Sequence, residues 1–249
     1  MDLLDPVPAD VVLEIGPGEG SLTRVLAPHV QRVVAIEKDR GLAHQCGMRN
    51  AECGIGNVEI VVGDALRADW HALTMPHSAF RIPHFKVVGN IPYRITSPLI
   101  EKALTPPLPE RIVFLVQAEV ADRLAASPGS KAYGALTVGV QTACTVEKVF
   151  MVKAGAFRPP PKVDSAVVRL TPVPRPLVPL QELDALRRFT TACFSQRRKQ
   201  LRNALAHAAR RPAEHAQAAL EALGLDPTAR PETLSPADFV RLLHWSGQL

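Results

Sequence analysis

The sequence predicts an α/β fold: a doubly wound, largely parallel sheet followed by a small C-terminal helical domain. Three observations predict it. Apolar, β-branched runs at 11–15, 32–36, 58–62 and 86–89 alternate with stretches of helical spacing, the pattern of parallel strands joined by crossover helices. Each run ends on residues with ligand chemistry, namely Gly16, Glu37, Gly63-Asp64 and Asn90. Beyond the proline-rich stretch Thr171–Pro179 the periodicity is helical only.

Composition sets the bounds. In 249 residues, 47% hydrophobic and 21% charged, there is core enough for a globular chain and too little charge for disorder. The expected boundaries are a first domain at 1–172, a linker at 173–179 and a second domain at 180–249. No apolar run reaches the length of a membrane span, and the first residues lack the basic and apolar regions of a signal peptide. Cys46, Cys53, Cys144 and Cys193 show no CxxC spacing and no flanking histidines. They read as reduced thiols of a cytoplasmic protein without a metal site. The net charge of +5 points mildly to an anionic partner.

The first strand, Val11 to Ile15, runs into Gly16-Pro17-Gly18-Glu19-Gly20. Ser21 is expected to cap the helix that follows, with Leu22, Val25 and Leu26 on one face. The second strand, Arg32 to Ile36, ends at Glu37. Strand, glycine loop, helix, strand and terminal carboxylate form the mononucleotide-binding half of a doubly wound sheet. Glycines let the backbone approach a ligand, and the carboxylate can accept both ribose hydroxyl protons. Ser21 replaces the third glycine of a dinucleotide fingerprint, which favours a nucleoside ligand over NAD.

The third strand, Val58 to Val62, ends at Asp64, an acceptor for an exocyclic adenine amine or simply a loop or helix cap. The fourth ends in Gly89-Asn90-Ile91-Pro92-Tyr93, with Gly89 and Pro92 breaking it. Asn90 Oδ1 and a backbone carbonyl near Ile91 or Pro92 could accept the two hydrogens of a ring amine, with Tyr93 stacking on the ring. The plainer reading is a strand end with an asparagine turn and a core tyrosine. Glu37, Asp64 and Asn90 all fall at carboxyl ends of strands, where open α/β sheets bind ligands.

The string Glu14 to Thr23, Glu37, Gly63-Asp64-Ala65 and Asn90-Ile91-Pro92-Tyr93 resembles the S-adenosylmethionine-dependent rRNA adenine N6-methyltransferases. This family includes the small-subunit rRNA dimethyladenosine transferases and the macrolide-resistance Erm methylases. The resemblance runs over nearly the whole chain. It implies a Rossmann-like class I methyltransferase sheet ending in an antiparallel strand, for which 145–152 and 165–170 alternate suitably. The loop Ser127 to Gly134 resembles the small-subunit group, though Tyr133 also reads as a buried residue in a polar loop. Phe157-Arg158-Pro159-Pro160-Pro161-Lys162-Val163-Asp164-Ser165 matches the family motif FxPxPxVxS. Its stiff prolines would hold Phe157 over the site, the alternative being a surface turn with Phe157 in the core.

Residues 187–211 carry eight arginines and lysines and no acid, a segment expected to need an anion such as RNA phosphate. Within it, Phe194 to Asn203 resembles the family's C-terminal signature. The tail Arg230–Phe239 fits a last capped helix, with Ser235 or Asp238 contributing to its start.

What the resemblance implies for the site is as follows. S-adenosylmethionine would be contacted by Glu14, Gly16, Gly18, Glu37, Lys38, Asp64, Ala65 and Asn90. Asn90, Pro92, Tyr93 and Phe157 would act on a flipped-out adenine. Arg197, Arg198, Lys199 and Arg202 would bind RNA. The expected activity is dimethylation of adenine N6 in small-subunit rRNA, on naked RNA or a 30S-type precursor, by a monomer in ribosome biogenesis. An Erm-type methylase of the large subunit, a non-catalytic rRNA-binding assembly factor and a nucleotide-dependent dehydrogenase are the alternatives. Members of that family usually carry a longer N-terminal segment with an FGQxFL-like motif, so the expectation here is either a truncated N-terminus or a cofactor lid that is partly missing.

Overall fold

Among the described residues, seven strands make one sheet in the order β3-β2-β1-β4-β5-β7-β6. The computed structural model describes residues 2–75 and 85–248. The strands are β1 (Val11–Ile15), β2 (Arg32–Glu37), β3 (Val58–Val62), β4 (Phe85–Asn90), β5 (Arg111–Gln117), β6 (Cys144–Val152) and β7 (Ser165–Pro172). β1 to β5 pair in parallel, and β7 runs antiparallel to β5 with Gln117 opposite Ser165. The helices are α1 (Ser21–Leu26), α2 (Arg40–Glu52), α3 (Trp70–Thr74), α4 (Thr96–Ala103), α5 (Ala118–Leu124), α6 (Ala135–Gln141), α7 (Leu183–Ser195), α8 (Leu201–Ala209), α9 (Ala213–Ala222) and α10 (Pro236–Ser246). None of those described is long and apolar enough to cross a membrane.

Central strands are buried on both faces, which is why Val12, Leu13, Val33, Val34, Val87, Ile112 and Phe114 read as continuous apolar runs. β4 does not break at Gly89. It continues to Asn90, and the glycine serves a close approach instead: a Cβ there would lie 2.6 Å from the Ile15 carbonyl oxygen of β1. Nor does Ser21 cap α1. The cap is Gly20 at φ 81°, where a Cβ would sit 2.8 Å from Cys46 Sγ, so glycine is required and Ser21 becomes the first helical residue. All four cysteines are free thiols.

The chain forms two compact units, 1–121 with 147–172, and 122–146 with 173–249. This differs from the linear division expected, because 122–146 cluster with the C-terminal helices. The proline-rich connector is also part of that second unit: Val173 N–H donates to the Ala143 carbonyl and Leu177 N–H to the Thr142 carbonyl. Within it, Tyr133 is buried and its ring meets Phe194, which stacks on Phe239 at 5.5 Å. Tyr133 is thus a core residue. Ser235 and Asp238 both start α10, as a reciprocal capping box.

Candidate active site

The carboxyl ends of the parallel strands gather the predicted residues of the first unit. Gly16 and Gly18 adopt φ of +68° and +55°, the left-handed region open to glycine, and a Cβ on Gly18 would meet nothing within 4 Å. Glu37, nearly buried at the end of β2, ties this loop down: Gly18 N–H donates to Oε2 (3.2 Å) and Asp39 N–H to Oε1 (2.9 Å). An ionised carboxylate has about four acceptor positions, so two are left for a ligand's hydroxyls. Beside it, Gly63 N–H donates to the Glu37 carbonyl and brings the end of β3 into line.

Asp64 holds two partners already. Oδ1 accepts from Leu66 N–H (3.0 Å), and Oδ2 pairs with Lys38 Nζ (3.0 Å). The Lys38 hydrogen bond, then that from Leu66, keeps the Asp64 carboxyl below its ordinary range. Lys38 is exposed and can swing away; the Leu66 bond makes Asp64 a turn cap as well as an acceptor. Ala65 is buried, its carbonyl held by Trp70 Nε1 (2.8 Å).

Glu14, at the end of β1, lies beneath the glycine loop. It is 2% exposed, and its Oε2 takes the Thr23 hydroxyl proton at 2.6 Å. Burial pushes its carboxyl up to about 7, the Thr23 bond opposing this only in part. It fastens α1 to β1 beneath the loop.

At the end of β4, Asn90 is exposed, and its side chain makes no hydrogen bond among the described residues. Asn90, Ile91, Pro92, Tyr93, Phe157, Pro159 and Pro161 line a cleft of about 320 Å³. The two rings therefore share one cavity with the amide, and Phe157 is half-exposed there rather than in the core. The Pro92 carbonyl is occupied, by Ile95 N–H (3.0 Å) and the Thr96 hydroxyl (3.3 Å). Of the two carbonyls considered, that of Ile91 is the one without an internal donor among the described residues. Ser165, which closes the proline motif, is wholly buried and lies 2.8 Å from the Tyr93 hydroxyl. Its role was not apparent from the sequence, although its place in the motif marked it.

The basic residues of the second unit divide. Arg197 donates to the Lys131 carbonyl (2.9 Å) and pairs with Glu232 (3.7 Å); Arg202 donates to Gln217 (3.2 Å); Arg187 pairs with Asp184. Arg211 lies over the Trp245 ring. The acids absent from 187–211 thus come from elsewhere in the chain, and the segment does not stand uncompensated. Arg197 and Arg202 thus have partners within the unit. Arg188, Arg198, Lys199 and Arg210 are exposed, with no ion pair among the described residues.

A carboxylate with free acceptor positions, open space above Gly18 and an acidic residue at the next strand end fit a nucleoside-containing cofactor such as S-adenosylmethionine. The model of the family described as Ribosomal RNA adenine dimethylase matches residues 1–248. The chain is 44% identical over 243 residues to the Ribosomal RNA small subunit methyltransferase A of Nitrosococcus oceani, covering 97% of this chain and 87% of that protein. It is 42% identical to the protein of that name from Pseudomonas aeruginosa, over 96% and 84% of the two chains. Among solved structures, a dimethyladenosine transferase from Plasmodium falciparum superposes with a TM-score of 0.79 at 28% identity, covering 99% of this chain and 94% of that one. The 23S rRNA methyltransferase ErmE gives 0.72 at 30% identity, over 98% and 93%. With a family model spanning nearly its full length, the chain belongs to the ribosomal RNA adenine dimethylase family.

Proposed function

We propose that this chain dimethylates adenine N6 in small-subunit ribosomal RNA, with S-adenosylmethionine as methyl donor, and so takes part in ribosome biogenesis. The observation that carries the reading is the single cleft in which an unpaired Asn90 amide lies with the Tyr93 and Phe157 rings, at the sheet edge that also bears the glycine loop.

Gly16 and Gly18 would accommodate the methionine and ribose portions, Glu37 the ribose hydroxyls, and Asp64 the adenine amine once Lys38 yields its place. When bound, the cofactor supplies a methyl group on a positively charged sulfur. The chain's residues must make the target amine ready for it. A stacked adenine cannot present N6, so the base is flipped into the cleft, where Tyr93 and Phe157 cover its two faces and Pro92 lines the rim. The N6 lone pair is delocalised into the ring and is a weak nucleophile. Asn90 Oδ1 and the Ile91 carbonyl accept the two N6 hydrogens and draw the nitrogen towards tetrahedral geometry, which localises that lone pair. No strong base is needed, since the proton departs after the new bond forms. Alignment and placed dipoles supply most of the acceleration. Arg198 and Lys199 would contact RNA phosphates, and the substrate is rRNA alone or in a small-subunit precursor particle.

The test is transfer of labelled methyl from S-adenosylmethionine to unmethylated small subunits, with large subunits alongside. Label in small-subunit adenines that disappears with Asn90→Ala, while RNA binding persists, supports the assignment. Label in the large subunit instead would reassign the target.

A further inference from the structure

The Tyr93 ring is a useful stacking surface only if its plane is fixed, and the turn it stands on does little to fix it. Tyr93 is half-exposed and begins the short turn Tyr93–Ile95 after β4. An aromatic side chain there has two free torsions and water on one side. What restrains the ring is its hydroxyl, 2.8 Å from Ser165 Oγ. Ser165 has no exposure and makes no other side-chain hydrogen bond among the described residues, so this contact satisfies a buried polar atom.

The topology explains why Ser165 is there. β7 is antiparallel to β5, so its first residue, paired with Gln117, comes to the edge where the parallel strands end. The loop before it carries Phe157 and is closed at its neck by the adjacent residue. Asp164 Oδ1 accepts from Ala154 N–H (3.0 Å), Oδ2 pairs with Lys153 Nζ (2.8 Å), and the Asp164 carbonyl accepts from Ala118 N–H (3.0 Å). One short segment therefore anchors the Phe157 loop through Asp164 and the Tyr93 ring through Ser165.

We infer that Ser165 is a positioning residue of the methyl transfer, which holds the Tyr93 ring at the spacing from Phe157 that a purine requires. The inference rests on the reading of Tyr93 and Phe157 as the two faces of the base slot. Ser165 touches neither base nor cofactor in this scheme and acts through the Tyr93 hydroxyl alone. Its loss therefore leaves RNA bound but lets the base tilt, lowering kcat more than it raises KM.

The experiment is a double-mutant cycle on the full chain with small subunits as substrate, reading kcat, KM and melting temperature for Ser165→Ala, Tyr93→Phe and the pair. The expected result is a roughly fivefold to tenfold fall in kcat for each single variant, at nearly constant KM. The double variant should be no worse than either single one, and Ser165→Thr, which keeps the hydroxyl, should recover most of the rate. Multiplying effects in the double variant, or unchanged kcat in both singles, would overturn the inference. If Ser165→Ala proves unstable, Tyr93→Phe decides, since it removes the same hydrogen bond from a half-exposed site. Tyr93→Ala separates the two layers. Full activity in that variant refutes the base-slot reading itself, whereas inactivity there beside a fully active Tyr93→Phe refutes only the part assigned to Ser165.

Discussion

Thr23 donates its hydroxyl proton to Glu14 across 2.6 Å, with both side chains out of reach of water. This pair fastens the helix after the glycine loop to the strand before it, and it makes stability depend on pH. Burial raises the Glu14 carboxyl from 4.5 to about 7 in the folded chain. Between those values the folded state binds more protons than the unfolded state, so stability falls as pH rises through the window and levels off above it. Glu14→Gln removes the ionisation and keeps an acceptor for Thr23. Its stability relative to the parent should climb by roughly 3 kcal/mol between pH 4 and pH 8. Urea unfolding at those two pH values measures this, and a constant difference would mean that Glu14 does not titrate in the window.

Glu37 serves the loop and the proposed ligand with one carboxylate. Both oxygens already accept a backbone N–H, from Gly18 and from Asp39. In Glu37→Gln one oxygen becomes an NH2 group facing an N–H donor, and the charge proposed to bind ribose hydroxyls is gone. Lost charged hydrogen bonds of about 1.5–3 kcal/mol weaken S-adenosylmethionine binding roughly tenfold to hundredfold. Calorimetric titration reads this directly. A lowered melting temperature with unchanged affinity would confine Glu37 to bracing the loop.

Gly89 of β4 stands opposite Ile15 of β1. A Cβ would lie 2.6 Å from the Ile15 carbonyl oxygen and 3.0 Å from Ile91 Cδ1, and the first of these is backbone that cannot swing aside. Gly89→Ala should cost about 1–3 kcal/mol by overpacking. The strain falls between Ile15 and Asn90, so methyl transfer should drop more than the folded fraction accounts for. Thermal melts and activity measured on one preparation test this; an alanine variant with parent stability would show that the strands separate freely.

Much of this site is legible residue by residue, and little of it pair by pair. The strand ends that carry Glu37, Asp64 and Asn90 follow from apolar runs and the residues that stop them. Phe157 and Tyr93 stand out because prolines and a short motif surround them. That they share a cleft depends on β7 running antiparallel, which no local pattern encodes. Thr23, Ser165 and the partners of Arg197 are ordinary polar residues whose meaning comes from a neighbour distant in sequence. The bond from Thr23 to Glu14 is hidden for the same reason, since it joins an acid of β1 to a hydroxyl nine residues on. That 122–146 cluster with the later helices is equally invisible to a linear boundary, because the chain crosses back to pack there.

The basic signature Arg197-Arg198-Lys199 should separate into two kinds of residue. Arg198 and Lys199 are exposed without ion pairs among the described residues, so each is free to displace counterions from RNA. Arg198→Ala and Lys199→Ala should each lower the slope of log affinity against log salt by about one, with the melting temperature unchanged. Arg197 is spent on the Lys131 carbonyl and on Glu232, whose side chain is only 17% exposed. Arg197→Ala removes the cation beside that carboxylate and the bond to Lys131, and should destabilise the protein by about 1 kcal/mol while leaving the salt slope near its parent value. Filter binding across a salt series, run beside thermal melts, resolves the two classes. A reduced slope with parent stability for Arg197→Ala would place it on the RNA after all.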